Sequence, residues 1–270
     1  MKFASIEYTE NKKRMVLDKL NSIFKPFEYE SISLMGADGY KIKVNISYES
    51  GIKEKNIVLS KVERFLSDSN VGAVTGEKFE NFYNSNGRII IAGIIRNHIG
   101  ERDEVVVIDG DYNLTENVLC MVCPKVNYIS LLTDDNEKHR NLAEYFMSEY
   151  GLNLVFINDF RHENFKSANV IINLGQKSEN YDYVLKKNCV YYDVYNDEKR
   201  INRMKRTRSD INIVNEIKLC PKGLTAAYVE SILFVANVQL RRLIIESLDI
   251  SEKMQLIDDM DLSTLTSQLR

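Results

Sequence analysis

The residues with chemistry to offer fall into four groups: Cys120 and Cys123, the three histidines His98, His139 and His162, a basic run within 199–208, and an acidic turn, Asp109-Gly110-Asp111. A Cys-x-x-Cys pair can be redox-active or half of a zinc site. Here it lies in an apolar helical stretch with Leu114, Val118, Leu119, Met121 and Val122, and no second close pair supplies two further ligands. Two buried small residues on one helix face is the expectation, and no metal site follows. Each histidine sits near an expected helix end or in a loop without a partner beside it in sequence, so a surface position is expected for all of them. The basic residues at 199, 200, 203, 205, 206 and 208 could hold a phosphate-bearing ligand or nucleic acid. No aromatic residue is interleaved to stack on bases, and a solvated face is the plainer reading. No Ser-His-Asp or paired-carboxylate arrangement stands out.

The elements that must position these groups lie mainly in residues 104–197. Short runs rich in Val, Ile and Tyr (EVVVIDGD, VNYISLLTDD, LNLVFIND, SANVIINLG, NCVYYDVYND) alternate there with helical ones (LTENVLCMVC, EKHRNLAEYFMSEYG). That alternation winds a parallel sheet covered on both faces. Upstream, residues 10–24 carry apolar side chains at helical spacing and stop before Pro26, which predicts an opening helix. SISLM and YKIKVNISY predict a β-hairpin around a turn at 36–39, residues 57–66 a helix, and NVGAVTG a short strand ending at Gly76. The β-branched run at 88–96 is read as a buried helix linking two lobes. Downstream, INIVNEIKL predicts a last strand, residues 224–248 a single buried helix apolar nearly all round in its first half, and the tail one more short helix.

Composition narrows the function classes. With 36 basic and 39 acidic residues the net charge of −3 creates no field that would recruit nucleic acid or an anionic membrane, so nucleic acid is a poor fit. No apolar run is long and uninterrupted enough to span a bilayer, and four scattered cysteines suit a reducing compartment; a soluble, cytoplasmic protein is expected.

Three segments stand in a telling order. Thr133-Asp134-Asp135 is followed by Glu137-Lys138 and Leu142-Ala143; then come 168–173 (ANVIIN) and 190–196 (VYYDVYN). They occupy the places of N-R-T-x-x-K-A-x-x-L-A, A-D-x-V-I-N-A-T and D-x-x-Y-N-P, and in them the stretch 104–224 resembles the nucleotide-binding half of the shikimate and quinate dehydrogenases, more loosely that of the glutamyl-tRNA reductases. The resemblance implies an α/β fold of two lobes, the second a Rossmann-type parallel sheet with flanking helices, the first a smaller mixed α/β lobe. The expected domains are 1–100, 101–222 and 223–270, the last packing back between the lobes.

Where the family carries a glycine-rich G-A-G-G loop, this chain has Asp109-Gly110-Asp111-Tyr112-Asn113. Such glycines let backbone N–H groups approach a pyrophosphate at a helix N-terminus; Asp109 and Asp111 put negative charge there instead. Asn113 or Thr115 is expected to cap the following helix. Asp134, 24 positions after Gly110, stands where an acidic residue accepts hydrogen bonds from the adenosine ribose and repels a 2′-phosphate, with helix capping an equal alternative. The implied cofactor-binding set is Gly110, Asn113, Asp134, Asn173 and Gly175, holding NAD weakly and in preference to NADP. The family's catalytic N-x-T-x-P-x-K and N-x-D motifs are not found, so the catalytic residues stay unknown. Two functions follow: hydride transfer between NAD and a small alcohol or carbonyl compound held in the inter-lobe cleft, or a non-catalytic regulatory or assembly protein that has lost dinucleotide binding. A homo-oligomer is left open.

Overall fold

The computed structural model describes residues 1–8, 25–46, 52–177, 179–214, 219 and 224–260. The expected opening helix at 10–24 lies outside them. The chain divides into two compact units, residues 1–87 with 227–244, and residues 88–226 with 245–270.

In the first unit, β1 (Lys2–Tyr8), β2 (Phe27–Leu34), β3 (Ala37–Val44), β4 (Val71–Thr75) and β5 (Tyr83–Asn84) form a sheet of order β2-β3-β1-β4-β5. Among the described residues only the β2–β3 pair is antiparallel. The hairpin turn is Met35-Gly36, with φ of 52° and 80°, one step earlier than the sequence suggested; Asp38 and Gly39 already belong to β3. Two consecutive positive φ angles match the twist of the flanking strands. Helix α1 (Ile52–Asp68) lays Val58, Val62 and Leu66, one turn apart, on the face formed by Ala4, Ile6, Ile42 and Val74.

The second unit opens with α2 (Arg88–Arg96) and continues through β6 (Glu104–Ile108), α3 (Tyr112–Val122), β7 (Tyr128–Leu132), α4 (Arg140–Tyr150), β8 (Leu154–Ile157), α5 (Glu163–Ser167), β9 (Val170–Asn173), β10 (Val190–Asp193), α6 (Glu198–Thr207) and β11 (Asn212–Val214). All pairings in its six-stranded sheet are parallel, in the order β11-β10-β9-β6-β7-β8. Renumbered from β6, this is 6-5-4-1-2-3, the Rossmann order, whose winding reverses between β6 and β9. The four expected strands around 105–108, 129–132, 154–157 and 170–172 are therefore neighbours in one sheet. Residues 88–100 go with this unit because α2 packs on α3.

After β11 the chain forms α7 (Ala226–Ala236), α8 (Val238–Ile245) and α9 (Ile250–Asp259). The single helix expected over 224–248 is two helices: Asn237 breaks it, its side chain accepting from the Leu240 amide at 2.9 Å as a fresh cap. On α7, fully buried Glu230 accepts from Tyr83 Oη (2.8 Å), Ser85 Oγ (3.1 Å) and the Gly87 amide (3.1 Å), which accommodates a carboxylate inside the first unit. In the second unit α9 packs on α3 and contributes Lys253, which pairs with buried Glu116.

Candidate functional site

In an open parallel sheet the crevice lies beyond the carboxyl ends of the strands where the winding reverses. A cavity of about 410 Å³ is found there, lined by the turn after β6 (Asp109, Gly110, Asp111), the turn after β7 (Thr133, Asp134, Asp135), the segment after β9 (Leu174, Gly175, Gln176, Lys177), and Arg88 and Tyr195. The register makes this inevitable: Ile108 pairs with Leu132 on one side and Asn173 on the other, so the next residues of all three strands meet.

Gly110, Asp134 and Gly175 of the expected set are brought together here; Asn113 lies on the exposed first turn of α3, and Asn173 is buried, donating its amide to Asp193 Oδ1 at 2.7 Å. Gly110 and Gly175 both sit where backbone segments approach closely. A Cβ on Gly110 would sit 2.3 Å from the Leu174 carbonyl oxygen, and one on Gly175 would sit 2.2 Å from the Asp109 carbonyl oxygen. The turn after β6 thus presses against the segment after β9, an approach that a side chain at either position would block.

The helix N-terminus is occupied as well. Asp111, in extended conformation, is the N-cap of α3, and its carboxylate accepts from the Leu114 amide at 3.3 Å. The cap is therefore neither Asn113 nor Thr115. Thr115 instead accepts from the Gly110 amide (3.1 Å) and donates to Asp109 Oδ1 (2.9 Å), which rigidifies the turn.

Asp109 departs from expectation because its charge is held inward rather than aimed at a ligand. Thr133 Oγ1 donates to it at 2.7 Å, His139 Nε2 lies 3.3 Å away and Lys138 Nζ 3.8 Å away. Burial by itself raises this carboxyl, but the hydrogen bonds from His139, Thr133 and Thr115, with the histidine's charge, outweigh it and hold Asp109 well below the usual carboxylate range. His139, expected at the surface, is 1% exposed, and its ring stacks on Tyr112 at 5.4 Å. His98 and His162 are exposed as expected. What sequence reasoning missed was the pairing across 30 residues; the signal was that Asp109 and Thr133 each follow a strand that must lie beside the other.

At the mouth of the crevice, Asp134 is 83% exposed and ion-paired with Lys177 at 2.7 Å. The neighbouring Asp135 accepts from the Lys138 amide at 3.4 Å, while the N-cap position of the turn that follows is Asn136, without a side-chain cap bond. On the far side, Tyr195 Oη donates to Gln176 at 3.3 Å and the Arg88 guanidinium stands 5.3 Å above the Tyr195 ring.

The basic run divides. Arg200 is buried and donates to the carbonyls of Lys177 and Glu179; Arg203 pairs with Asp182 at 2.6 Å; Arg208 bonds the carbonyls of Asp182 and Leu185. Three of the six basic residues therefore pin the segment between β9 and β10, while Lys199, Lys205 and Arg206 are exposed. Cys120 and Cys123 are buried, and burial pushes the Cys120 thiol up to about 12. Among the described residues no group of three or more His, Cys, Asp or Glu could hold a metal ion, and no helix is long and apolar enough to cross a membrane.

No family model matches the chain, and no curated protein matches its sequence. Solved structures do. A shikimate dehydrogenase in complex with NADP+ is 11% identical, with 98% of this chain and 96% of that chain covered and a TM-score of 0.41. The ligand-free 5-ketofructose reductase of Gluconobacter sp. strain CHM43 is 12% identical over 95% and 98% of the two chains, TM-score 0.39. The quinate dehydrogenase from Corynebacterium glutamicum in complex with NAD is 11% identical over 96% and 99%, TM-score 0.38. These are distant likenesses, and the fold is read from the strand order itself.

Proposed function

We propose that this is a Rossmann-fold binding protein that has given up pyrophosphate recognition: its crevice takes a ribose-bearing ligand weakly, NAD in preference to NADP among the dinucleotides, and does not support efficient hydride transfer. The observation that carries this reading is the Asp111 carboxylate on the N-terminus of α3. An N-cap carboxylate takes one N–H of the first turn and puts its own negative charge where a phosphate would lie, so this helix N-terminus attracts a phosphate less than an uncapped one. Asp109 and Gly110 add no compensation, since the Asp109 carboxylate is turned to His139 and the Gly110 amide donates to Thr115 Oγ1. The residues present fit the ribose end of a dinucleotide and not its pyrophosphate.

A second reading, a dehydrogenase acting on a small alcohol or carbonyl compound, is favoured by Asp134, which stands at the end of β7 where ribose hydroxyls are read. Lys177 tempers its preference, because the ammonium offsets part of the carboxylate's repulsion of a 2′-phosphate.

Calorimetric titration with NAD and NADP tests the proposal. Weak NAD binding should fall by roughly tenfold to a hundredfold in Asp134→Ala, the loss of a charged hydrogen bond. Asp111→Gly should tighten it by freeing the N-terminus of α3. Tight binding of either dinucleotide by the wild type, with turnover of a small alcohol, would establish the second reading instead.

A further inference from the structure

The connection from β9 to β10, residues 174–189, is long for an α/β unit and, among its described residues, carries only a 3₁₀ turn, Asp182–Val184, in place of a crossover α-helix. Long connections without regular structure of their own are commonly functional. One side of it lines the switch-point crevice. The other side, with the loop after β8, walls a separate cavity of about 600 Å³ lined by Asn158, Asp159, Phe160, Arg161, Glu179, Asn180 and Tyr183.

This cavity is held open by preorganised parts. Its Phe160 stacks on buried Tyr181 at 4.3 Å and 17°, so the apolar base is fixed. The 3₁₀ turn that carries Tyr183 is anchored on both flanks: Arg203 pairs with the Asp182 carboxylate, and Arg208 bonds the carbonyls of Asp182 and Leu185. Asn180 Oδ1 accepts from the Asp182 amide at 3.2 Å, which sets the amide plane and leaves its NH₂ as a donor. Asp159 Oδ1 accepts from the Arg161 amide at 2.8 Å, which orients that carboxylate in turn. Against this scaffold Tyr183 stays 66% exposed, a large ring presented to solvent on an anchored turn.

An exposed aromatic face beside planar amides and carboxylates matches a ring that carries adjacent hydroxyls. The ring's C–H or π face lies on the aromatic, the amides donate and accept, and a carboxylate accepts from two neighbouring O–H groups. Two carboxylates against one guanidinium disfavour an anionic ligand. We infer that this cavity is a second ligand site, for a small uncharged ring bearing a vicinal diol, either a sugar or the ribose of a nucleoside. The anchoring reduces what is lost on ordering the site, which is how a polar, open cavity reaches useful affinity.

Saturation-transfer NMR and calorimetry with D-glucose, D-ribose, adenosine and 2′-deoxyadenosine test the site, using the full-length Asp134→Ala variant so that the switch-point crevice does not contribute. Saturable millimolar binding of a diol-bearing probe is expected. D-glucose without adenosine identifies a sugar; adenosine above 2′-deoxyadenosine identifies a nucleoside. Adding Tyr183→Ala or Asn158→Ala should weaken binding roughly tenfold, while Tyr183→Phe should preserve it, because the ring face rather than the hydroxyl is used. Unfolding curves of these surface variants should match the Asp134→Ala parent. No saturable binding of any probe, or binding indifferent to Tyr183→Ala, overturns the assignment.

Discussion

Asp109 and Asp193 both sit at the carboxyl ends of strands in the same sheet, one partly and one fully buried, and their carboxyl groups are driven in opposite directions. Asp109 receives hydroxyl donors from Thr115 and Thr133 and stands within 4 Å of His139 and Lys138, and it is held well below the usual range. Asp193 receives the Asn173 amide and the Asp197 amide, both at 2.7 Å, but no cation, and the Asp197 carboxylate lies near; burial, aided by that like charge, pushes its carboxyl up. Burial is the largest influence on each. What decides the outcome is whether opposite charge is there to answer it. One aspartate supports the fold as an anion, and the other is tolerated as one.

The largest expected effect follows from removing the supporting anion. Asp109→Ala leaves His139 buried without its partner and two hydroxyls without their acceptor, and should cost about 3–5 kcal/mol at neutral pH, read by urea unfolding. Because the folded-state carboxyl is depressed, its contribution is present above the ordinary value of 3.8 and is lost as the pH falls through the folded value. The gap between variant and wild type should therefore narrow in acid. A gap independent of pH would mean that packing, not charge, holds the turn after β6.

Asp193→Asn is the counterpart and should move stability by about 1 kcal/mol or less at neutral pH. A carboxyl raised by the fold is most favourable when protonated, so its contribution is complete below the ordinary value and declines as pH rises through the raised one. The variant, which does not titrate there, should gain on the wild type between acid and neutral pH. A loss as large as that of Asp109→Ala would erase the contrast between the two carboxylates.

The contrast also marks how far the sequence could be read. The strands of the second unit were legible because Val105 to Ile108, Ile129 and Ile171 form short β-branched runs, and burial on both faces of a parallel sheet requires that pattern. Gly110, Asp134 and Gly175 were expected from the family resemblance, and they line one crevice because each follows the end of a neighbouring strand. The partners were not legible. His139 to Asp109 and Lys177 to Asp134 are meetings of side chains from turns far apart in sequence, visible only once the strand order is known. The same holds for the basic run: its periodicity speaks of a helix, but nothing local says that Arg200, Arg203 and Arg208 face the segment after β9 rather than solvent. The break at Asn237 was missed because apolar residues continue across it and a cap inside an apolar run gives no change of composition.

The smallest expected effect concerns the other charge pair of the crevice. Lys177 and Asp134 meet at 2.7 Å, as close as the best contact of Asp109, yet Asp134 is 83% exposed. Water screens such a pair and competes for both partners, so its coupling in a double-mutant cycle of Lys177→Ala and Asp134→Ala should be below about 1 kcal/mol. For a chain of this size that is a shift of at most about 2–4 °C in Tm. The segment bearing Lys177 is already fixed by the Arg200 guanidinium on the Lys177 carbonyl, so the lysine's own side chain is spared from a structural role. A coupling of about 3 kcal/mol, comparable with a buried pair, would instead make the lysine a structural strut and leave Asp134 too firmly engaged to accept a ribose.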